Sequence, residues 1–310
     1  MRQGILCCGN AVMDIVVRPV ADLVWNTTTW VDAIEMHMGG NGANTAFAAA
    51  KLGAFVRFIS AVGNDFSGSR VLETLTAAGI DTSAIQTLDG ATAATVALVN
   101  STGDRKLLHQ PGAAQAAFTM PVSFEPALTD AMAFFHLANP FALPGLRRNG
   151  AVALRNARAA GLLTSVDAGW DSQGRWLTDL GPCFPHTDFL FVNEDEALRL
   201  SGEDTTAAAA ARLGSLGART VVVKLGSRGA ELNGSLRVPA YAVEAVDTTG
   251  AGDCFAGAFL AAMSRGLSAL ESTRVANAAA ALAISRLGST AGLRDWHETL
   301  RWMETAAVRS

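Results

Sequence analysis

This sequence is notable first for what it lacks. It has four cysteines in 310 residues, with Cys7 and Cys8 adjacent and Cys183 and Cys254 isolated. That spacing makes neither a metal-ligand set nor a disulfide framework, so reduced and mostly buried thiols are expected. No apolar run approaches the ~20 residues that cross a bilayer. Ile5-Leu6-Cys7-Cys8, following Met1-Arg2-Gln3-Gly4, is too short for a secretory apolar region, so a cytoplasmic protein with no membrane partner is expected. Positive charge is not in excess: 24 lysines and arginines against 28 aspartates and glutamates leave a formal net charge of −4. The broad basic field of a nucleic-acid binder is therefore missing. The five histidines, His109 and His136 among them, lack the clustering of a metal site and are expected to be structural. There is no Gly-x-x-x-x-Gly-Lys-Ser/Thr stretch and no protein-kinase motif set, which excludes the common phosphate-binding folds. No low-complexity tail or linker stands out.

Half of the residues are hydrophobic, enough to bury a sizeable core in one large domain or two small ones. Short β-branched runs at Phe55 to Ala61, Met132 to Leu137, Leu162 to Asp167, Asp188 to Asn193 and Thr220 to Lys224 alternate with alanine-rich helical patterns. This predicts an α/β fold with a mainly parallel central sheet flanked by helices on both faces. Two stretches break the rhythm, about 12–38 and 92–110. The second contains the hairpin-like turn Asn100-Ser101-Thr102-Gly103-Asp104. Both read as strand pairs without a crossover helix and are expected to form a small β lid inserted in a single domain over 1–310.

The chemistry concentrates in two glycine-rich turns that run into helices. The later one reads Val246-Asp247-Thr248-Thr249-Gly250-Ala251-Gly252-Asp253-Cys254-Phe255-Ala256-Gly257. Small residues let successive backbone N–H groups point into one space, and the helix start adds its unpaired N–H groups and positive dipole end. Asp253 would repel an anion bound there unless the carboxylate is needed to take a proton from a group attacking it. The reading is phosphoryl transfer, with the helix dipole expected to keep Asp253 ionised. The earlier turn, Met38-Gly39-Gly40-Asn41-Gly42-Ala43-Asn44-Thr45-Ala46, leads into Ala48-Ala49-Ala50-Lys51-Leu52-Gly53. Its two amides suit the hydroxyls of a polyol.

In their order and separation these motifs resemble the two signatures of the ribokinase-like (PfkB) family of carbohydrate kinases. The similarity runs from Gly9-Asn10 to the helix containing Asn277-Ala278-Ala279-Ala280. The resemblance implies an ATP-dependent kinase acting on an alcohol of a sugar or nucleoside. Asp253 would be the general base, and the N–H groups of Gly250, Ala251 and Gly252 the anion hole. Asp14, placed after the first strand, would grip adjacent sugar hydroxyls, with Gly40, Asn41, Gly42 and Asn44 as the sugar floor. Asn193 and Glu196 match an Asn-x-x-Glu element whose carboxylate organises Mg²⁺ through water; read alone, they equally suit an acidic helix start. Lys224, Gly226, Ser227 and Gly229 would line the nucleotide's phosphates and ribose. Asn277 would sit beside adenine or serve as a core amide. Asp247 and Thr249, with carbonyls near Ser285 and Gly288, correspond to a loop that binds K⁺ in many relatives. Such kinases also pair as homodimers through their lids.

Departures fall at the sugar. Ribokinases have asparagine where this chain has Val12, and glutamate near Asn139, which is expected at the substrate. Gly9 to Asp14 is more like adenosine kinases, and Asp167-Ala168-Gly169-Trp170-Asp171 lacks the arginine of ketohexose and ketodeoxy-acid kinases, although Arg175 follows. A sugar kinase of open substrate is the reading, with a nucleoside kinase, using Trp25 and Trp30 against a base, as the alternative. A noncatalytic sugar sensor is the remote third.

Overall fold

In the computed structural model, which describes residues 3–21 and 23–309, the β-branched runs become strands with bounds close to those read from sequence. Met1, Arg2, Asp22 and Ser310 lie outside the described residues. The strands are β1 (Gly4–Cys8), β2 (Val12–Arg18), β3 (Ala33–Gly39), β4 (Val56–Gly63), β5 (Ile85–Leu88), β6 (Ala94–Val99), β7 (Arg105–Gln110), β8 (Met132–Ala138), β9 (Leu163–Asp167), β10 (Phe189–Asn193), β11 (Thr220–Lys224), β12 (Ala230–Leu232) and β13 (Leu236–Val238). Among the helices, α1 (Asn41–Lys51), α2 (Phe66–Ala77), α3 (Pro126–Thr129), α4 (Pro144–Ala159) and α5 (Trp176–Leu180) come from the first part of the chain. They are followed by α6 (Glu194–Ser201), α7 (Thr206–Ser215), α8 (Ala251–Ser264), α9 (Ala269–Ala283) and α10 (Trp296–Thr305).

The main sheet has nine strands in the order β13-β12-β11-β10-β9-β8-β1-β4-β5. From β11 to β5 every pairing is parallel, and only β12 and β13 are added antiparallel at one edge. One apolar cluster packs α4 and α7 on one face through Leu137, Val166, Leu154 and Leu213. A second packs α1, α8 and α9 on the other through Phe58, Phe191, Phe259 and Ala279. The carboxyl ends of β8, β9, β10 and β11 therefore deliver Asn139, Asp167, Asn193 and Lys224 to one rim, where ligands of open α/β sheets bind. All four cysteines are free and buried, and burial pushes the Cys7 thiol up to about 12. No helix among the described residues is long and apolar enough to cross a membrane.

The lid strands form a separate sheet in the order β3-β2-β6-β7. Asp14 lies inside β2, opposite His37 of β3, and not at the end of the first strand as the sequence suggested. Thr92 falls before β6: its hydroxyl accepts from Gly63 N and donates to Asp65 Oδ1, tying the lid's base to the N-cap of α2.

Helix–helix approach near the rim depends on missing Cβ atoms. A side chain at Gly42 would meet the Gly9 backbone at 2.7 Å, and one at Gly257 would meet the Thr45 carbonyl at 2.4 Å. Such distances leave no room even for a methyl group, so α1 lies directly on the turn after β1 and α8 directly on α1. Gly42 is thus buried and serves the packing of α1.

Candidate active site

The closeness of α1 and α8 brings two helix starts to one point. Gly250, in the left-handed region at φ 73°, caps α8 and turns the chain so that Asp253 falls in the first turn, 6% exposed. Asn41 opens α1 and donates Nδ2–H to Asp253 Oδ1 at 2.9 Å, while Asn44 Nδ2 donates to Oδ2 at 3.0 Å. Each amide is held from behind: Asn139 Nδ2 donates to Asn41 Oδ1 at 2.9 Å, and Ser289 Oγ donates to Asn44 Oδ1 at 3.0 Å. The expected sugar-floor amides are committed to the carboxylate, and Asn139 stands one step behind it.

Two amide donors and a helix start favour an ionised carboxylate, yet Asp253 is pushed up to about 7. Burial is the main cause and the neighbouring Asp167 the second, with Asn41, Asn44 and Lys224 opposing. The helix dipole, expected to keep Asp253 ionised, is thus opposed by burial: a local helix-end effect is smaller than full removal from water.

Lys224 was expected to supply positive charge to the nucleotide's phosphates. Its Nζ donates to both oxygens of Asp167, at 2.9 and 2.7 Å, in a nearly dry ion pair. Burial alone would lower the Lys224 pKa, but Asp167 and Glu196 outweigh it and the ammonium is held charged. A Cβ at Gly252 would lie 3.0 Å from Lys224 Nζ, so the glycine lets this buried cation approach the start of α8. Asn193 and Glu196 form a reciprocal capping box at α6, Glu196 N donating to Asn193 Oδ1 and Asn193 N to Glu196 Oε2, both at 2.8 Å. Glu196 Oε1 makes no hydrogen bond to the described residues. Asn277 donates to the carbonyls of Val238 and Pro239, each at 3.0 Å, so its amide also serves the core.

A cavity of about 490 Å³ unites most of the expected site. Asn41, Asn193, Glu196, Lys224, Gly226, Ser227, Gly229, Asn277 and the turn 250–253 all line it. Asp14, Gly40, Gly42, Asn44, Asn139, Asp247, Thr249, Ser285 and Gly288 do not. Ala251 N–H is aimed back at the Thr248 carbonyl, 3.4 Å away, whereas the N–H groups of Gly250, Gly252 and Asp253 have no backbone partner among the described residues. Of the three N–H groups expected to form the anion hole, those of Gly250 and Gly252 thus have no backbone partner among the described residues, while that of Ala251 has a long one.

Above this rim the lid presents a row across its four strands. His37, Asp14, Thr95 and His109 are successive register partners, so their side chains share one face. His109 lies on the exposed edge strand, hydrogen-bonded to Thr95 at 3.1 Å. His136, in contrast, is fully buried against Ser165. Burial pushes Asp14 up to about 6, with Asp247 adding to the rise and Thr95 and His37 opposing it.

The loop expected to hold K⁺ already has a protein cation. Asp247 Oδ1 accepts from Thr249 N at 2.9 Å, Thr249 Oγ1 at 2.6 Å and Arg105 Nη1 at 3.2 Å, while Oδ2 accepts from Gly288 N at 3.1 Å. Arg105 also donates to Thr249 Oγ1. Ser285 Oγ is turned inward to the Leu282 carbonyl at 2.7 Å. The residues as arranged do not fit a monovalent ion at Asp247. Sequence reasoning missed Arg105, Asp167 and Ser289. Only Asp167, an acid ending a predicted strand at the ligand rim, left a usable signal.

The pattern of the pfkB family carbohydrate kinases matches residues 2–296. A ribokinase from Haemophilus influenzae is 30% identical over 323 aligned positions, covering 99% of this chain and 100% of that protein. A nucleoside kinase from Methanothermobacter thermautotrophicus is 27% identical, covering 96% and 95%. The fold superposes on that of an Arabidopsis thaliana ribokinase solved with ribose and ATP, with a TM-score of 0.84 and 26% identity over 98% of this chain and 99% of the other. With the family pattern matched over nearly its whole length and relatives covered end to end, the chain belongs to the pfkB family of carbohydrate kinases, phosphotransferases that act on an alcohol group.

Proposed function

We propose that this protein transfers the γ-phosphoryl group of ATP to a hydroxyl of a small sugar. The observation that carries the reading is Asp253: a buried carboxylate poised near 7, held by two amides at a helix start whose unpaired N–H groups face a nucleotide-sized cavity. A base with that proton affinity is half ionised at neutral pH and can take a hydroxyl proton as the oxygen attacks phosphorus. The N–H groups of Gly250, Gly252 and Asp253 meet the charge that develops on the transferring group without having to reorient. Asn41 and Asn44 fix both carboxylate oxygens so that the proton is taken at a defined position.

ATP lies along the cavity from the turn at Gly226, Ser227 and Gly229 to Asn277. Lys224 acts from beneath Gly252, its charge neutralised by Asp167, and serves the site more as an electrostatic counterweight to Asp253 than as a phosphate ligand. The free oxygen of buried Glu196 suits a hydrated Mg²⁺, which when bound would neutralise phosphate charge. Asp14, over the site, accepts hydrogen bonds from the acceptor's hydroxyls. Paired lids complete the reading: Ile34, Met36 and Leu108, on the face away from Asp14, are 66%, 48% and 56% exposed and support a homodimer.

A nucleoside acceptor is the second reading, favoured by the flat imidazole of His37 beside Asp14, against which a base could stack. Trp25 and Trp30 are 92% and 89% exposed in the loop between β2 and β3, at the lid's periphery. The test is an ADP-release screen of the purified protein over sugars, sugar acids and nucleosides, with Asp253→Asn as the control. Release above the control with one class identifies the acceptor. No acceptor-dependent release with any class would overturn the proposal.

A further inference from the structure

Arg105 begins β7, the exposed edge of the lid, yet reaches the main body at the turn that precedes the anion-binding N–H groups. Its anchoring is firm. The preceding hairpin is closed by Asn100 Oδ1, which accepts from Thr102 N, Thr102 Oγ1 and Asp104 N at 3.0, 2.7 and 2.8 Å. Strand alternation and register place Arg105 on the same lid face as His109 and Asp14. From there it donates to Asp247 and Thr249. Arg105 is 38% exposed and Asp247 15% in their side chains. The carboxylate is thus largely covered and has an arginine as its positive partner, and its pKa is lowered on balance: burial raises it, while Thr249, Gly288 and Arg105 outweigh that rise.

From Asp247 two short paths lead to the chemistry. One runs through Thr249 directly into Gly250. The other runs from Asp247 Oδ2 to Gly288 N, then to Ser289, whose hydroxyl holds the amide that holds Asp253 Oδ2. Neither path ends on the acceptor. Both end on groups whose orientation the phosphoryl transfer requires.

We propose that Arg105 is the cation of this loop: a positioning residue, carried by the lid, that takes the place of a free monovalent ion at Asp247. Resting on the kinase reading above, this makes the order of the anion-binding turn depend on a residue that the lid carries.

The test compares wild type, Arg105→Ala and Arg105→Lys in potassium chloride and in tetramethylammonium chloride at equal ionic strength. Turnover and backbone hydrogen exchange over 247–254 are measured on each. Wild type is expected to give the same rate and exchange in both salts. Arg105→Ala is expected to lose roughly tenfold in kcat in tetramethylammonium, a loosened rather than deleted set of donors. Its KM for ATP should hold, exchange over 247–254 should be faster, and potassium should restore both rate and protection. Arg105→Lys, which keeps a cation, should stay near wild type. A wild type that itself needs potassium, or an Arg105→Ala variant indifferent to the salt in both readouts, would overturn the proposal. If wild type turned over no acceptor, the kinase reading would fall, while hydrogen exchange would still decide whether Arg105 orders the turn.

Discussion

Asn41 and Asp253 are separated by 212 positions in the chain and by 2.9 Å at the site. The start of α1 therefore grips the carboxylate carried by α8, and the state of that carboxylate, the proposed base, depends on both glycine motifs together. Replacing Asp253 by Asn keeps the shape and one acceptor while removing the proton-taking group. The expected loss in kcat is roughly 10²–10⁴-fold, the range for a general base, with acceptor and ATP affinities changed far less. Steady-state kinetics with calorimetric binding would check both.

The same substitution should stabilise the fold. Asp253 is raised from 3.8 to about 7, so the folded state holds its proton more tightly than the unfolded state does. Stability contributed by the protonated form is present at low pH and is lost progressively as pH rises from about 4 to about 7. Ionisation within the fold then costs on the order of 4 kcal/mol. Melting temperature compared across pH 5 to 8 should fall for wild type more than for Asp253→Asn.

Activity should run the opposite way, because the base must be ionised. The acceptor kcat/KM is expected to climb through pH 7 and level above it. Asp167→Asn removes the second cause of the raised value and releases Lys224 towards Asp253, so the inflection should move down. Asn44→Ala removes a donor to the ionised form and should move it up. Both shifts are read from pH–rate profiles on the same acceptor.

Asp14→Ala should weaken acceptor binding by roughly 1.5–3 kcal/mol, since hydrogen bonds to a charged acceptor are lost. ATP binding should be untouched, as Asp14 does not line the nucleotide cavity. Titration calorimetry with each ligand separates the two.

If the lids pair, charge on their outer face should separate them. Met36→Glu with Leu108→Glu is expected to halve the mass seen by light scattering without altering the circular dichroism spectrum. An unchanged mass would place the interface elsewhere or leave the protein a monomer.

The strands of the main sheet were legible because each is a short β-branched run between helical patterns, and the lid because two stretches lacked such helices. The proposed base was legible as an acid at a glycine-rich helix start. Its proton affinity was not, since the dipole is local and can be read from neighbours in sequence, whereas burial and the proximity of Asp167 arise only when distant segments assemble. The same holds for Lys224: a lysine ending a strand gives no local sign that Asp167, two strands away in the sheet, will pair with it. The bonds of Asn41 and Asn44 to Asp253 were not legible, because amides that suit hydroxyls suit a carboxylate equally well. Arg105 gave no signal, its role depending on the fold of the lid over a turn 142 residues away.

The methyl-free contacts of Gly42 on Gly9 and of Gly257 on Thr45 make the proposed base, its two amides and the start of α8 one stiff block. The row proposed to meet the acceptor hangs on a different sheet. Reactivity and selectivity are thus housed in separate mechanical parts, and selection could remodel His37, Thr95 or His109 for a new acceptor while the proton affinity of Asp253 stays where it is.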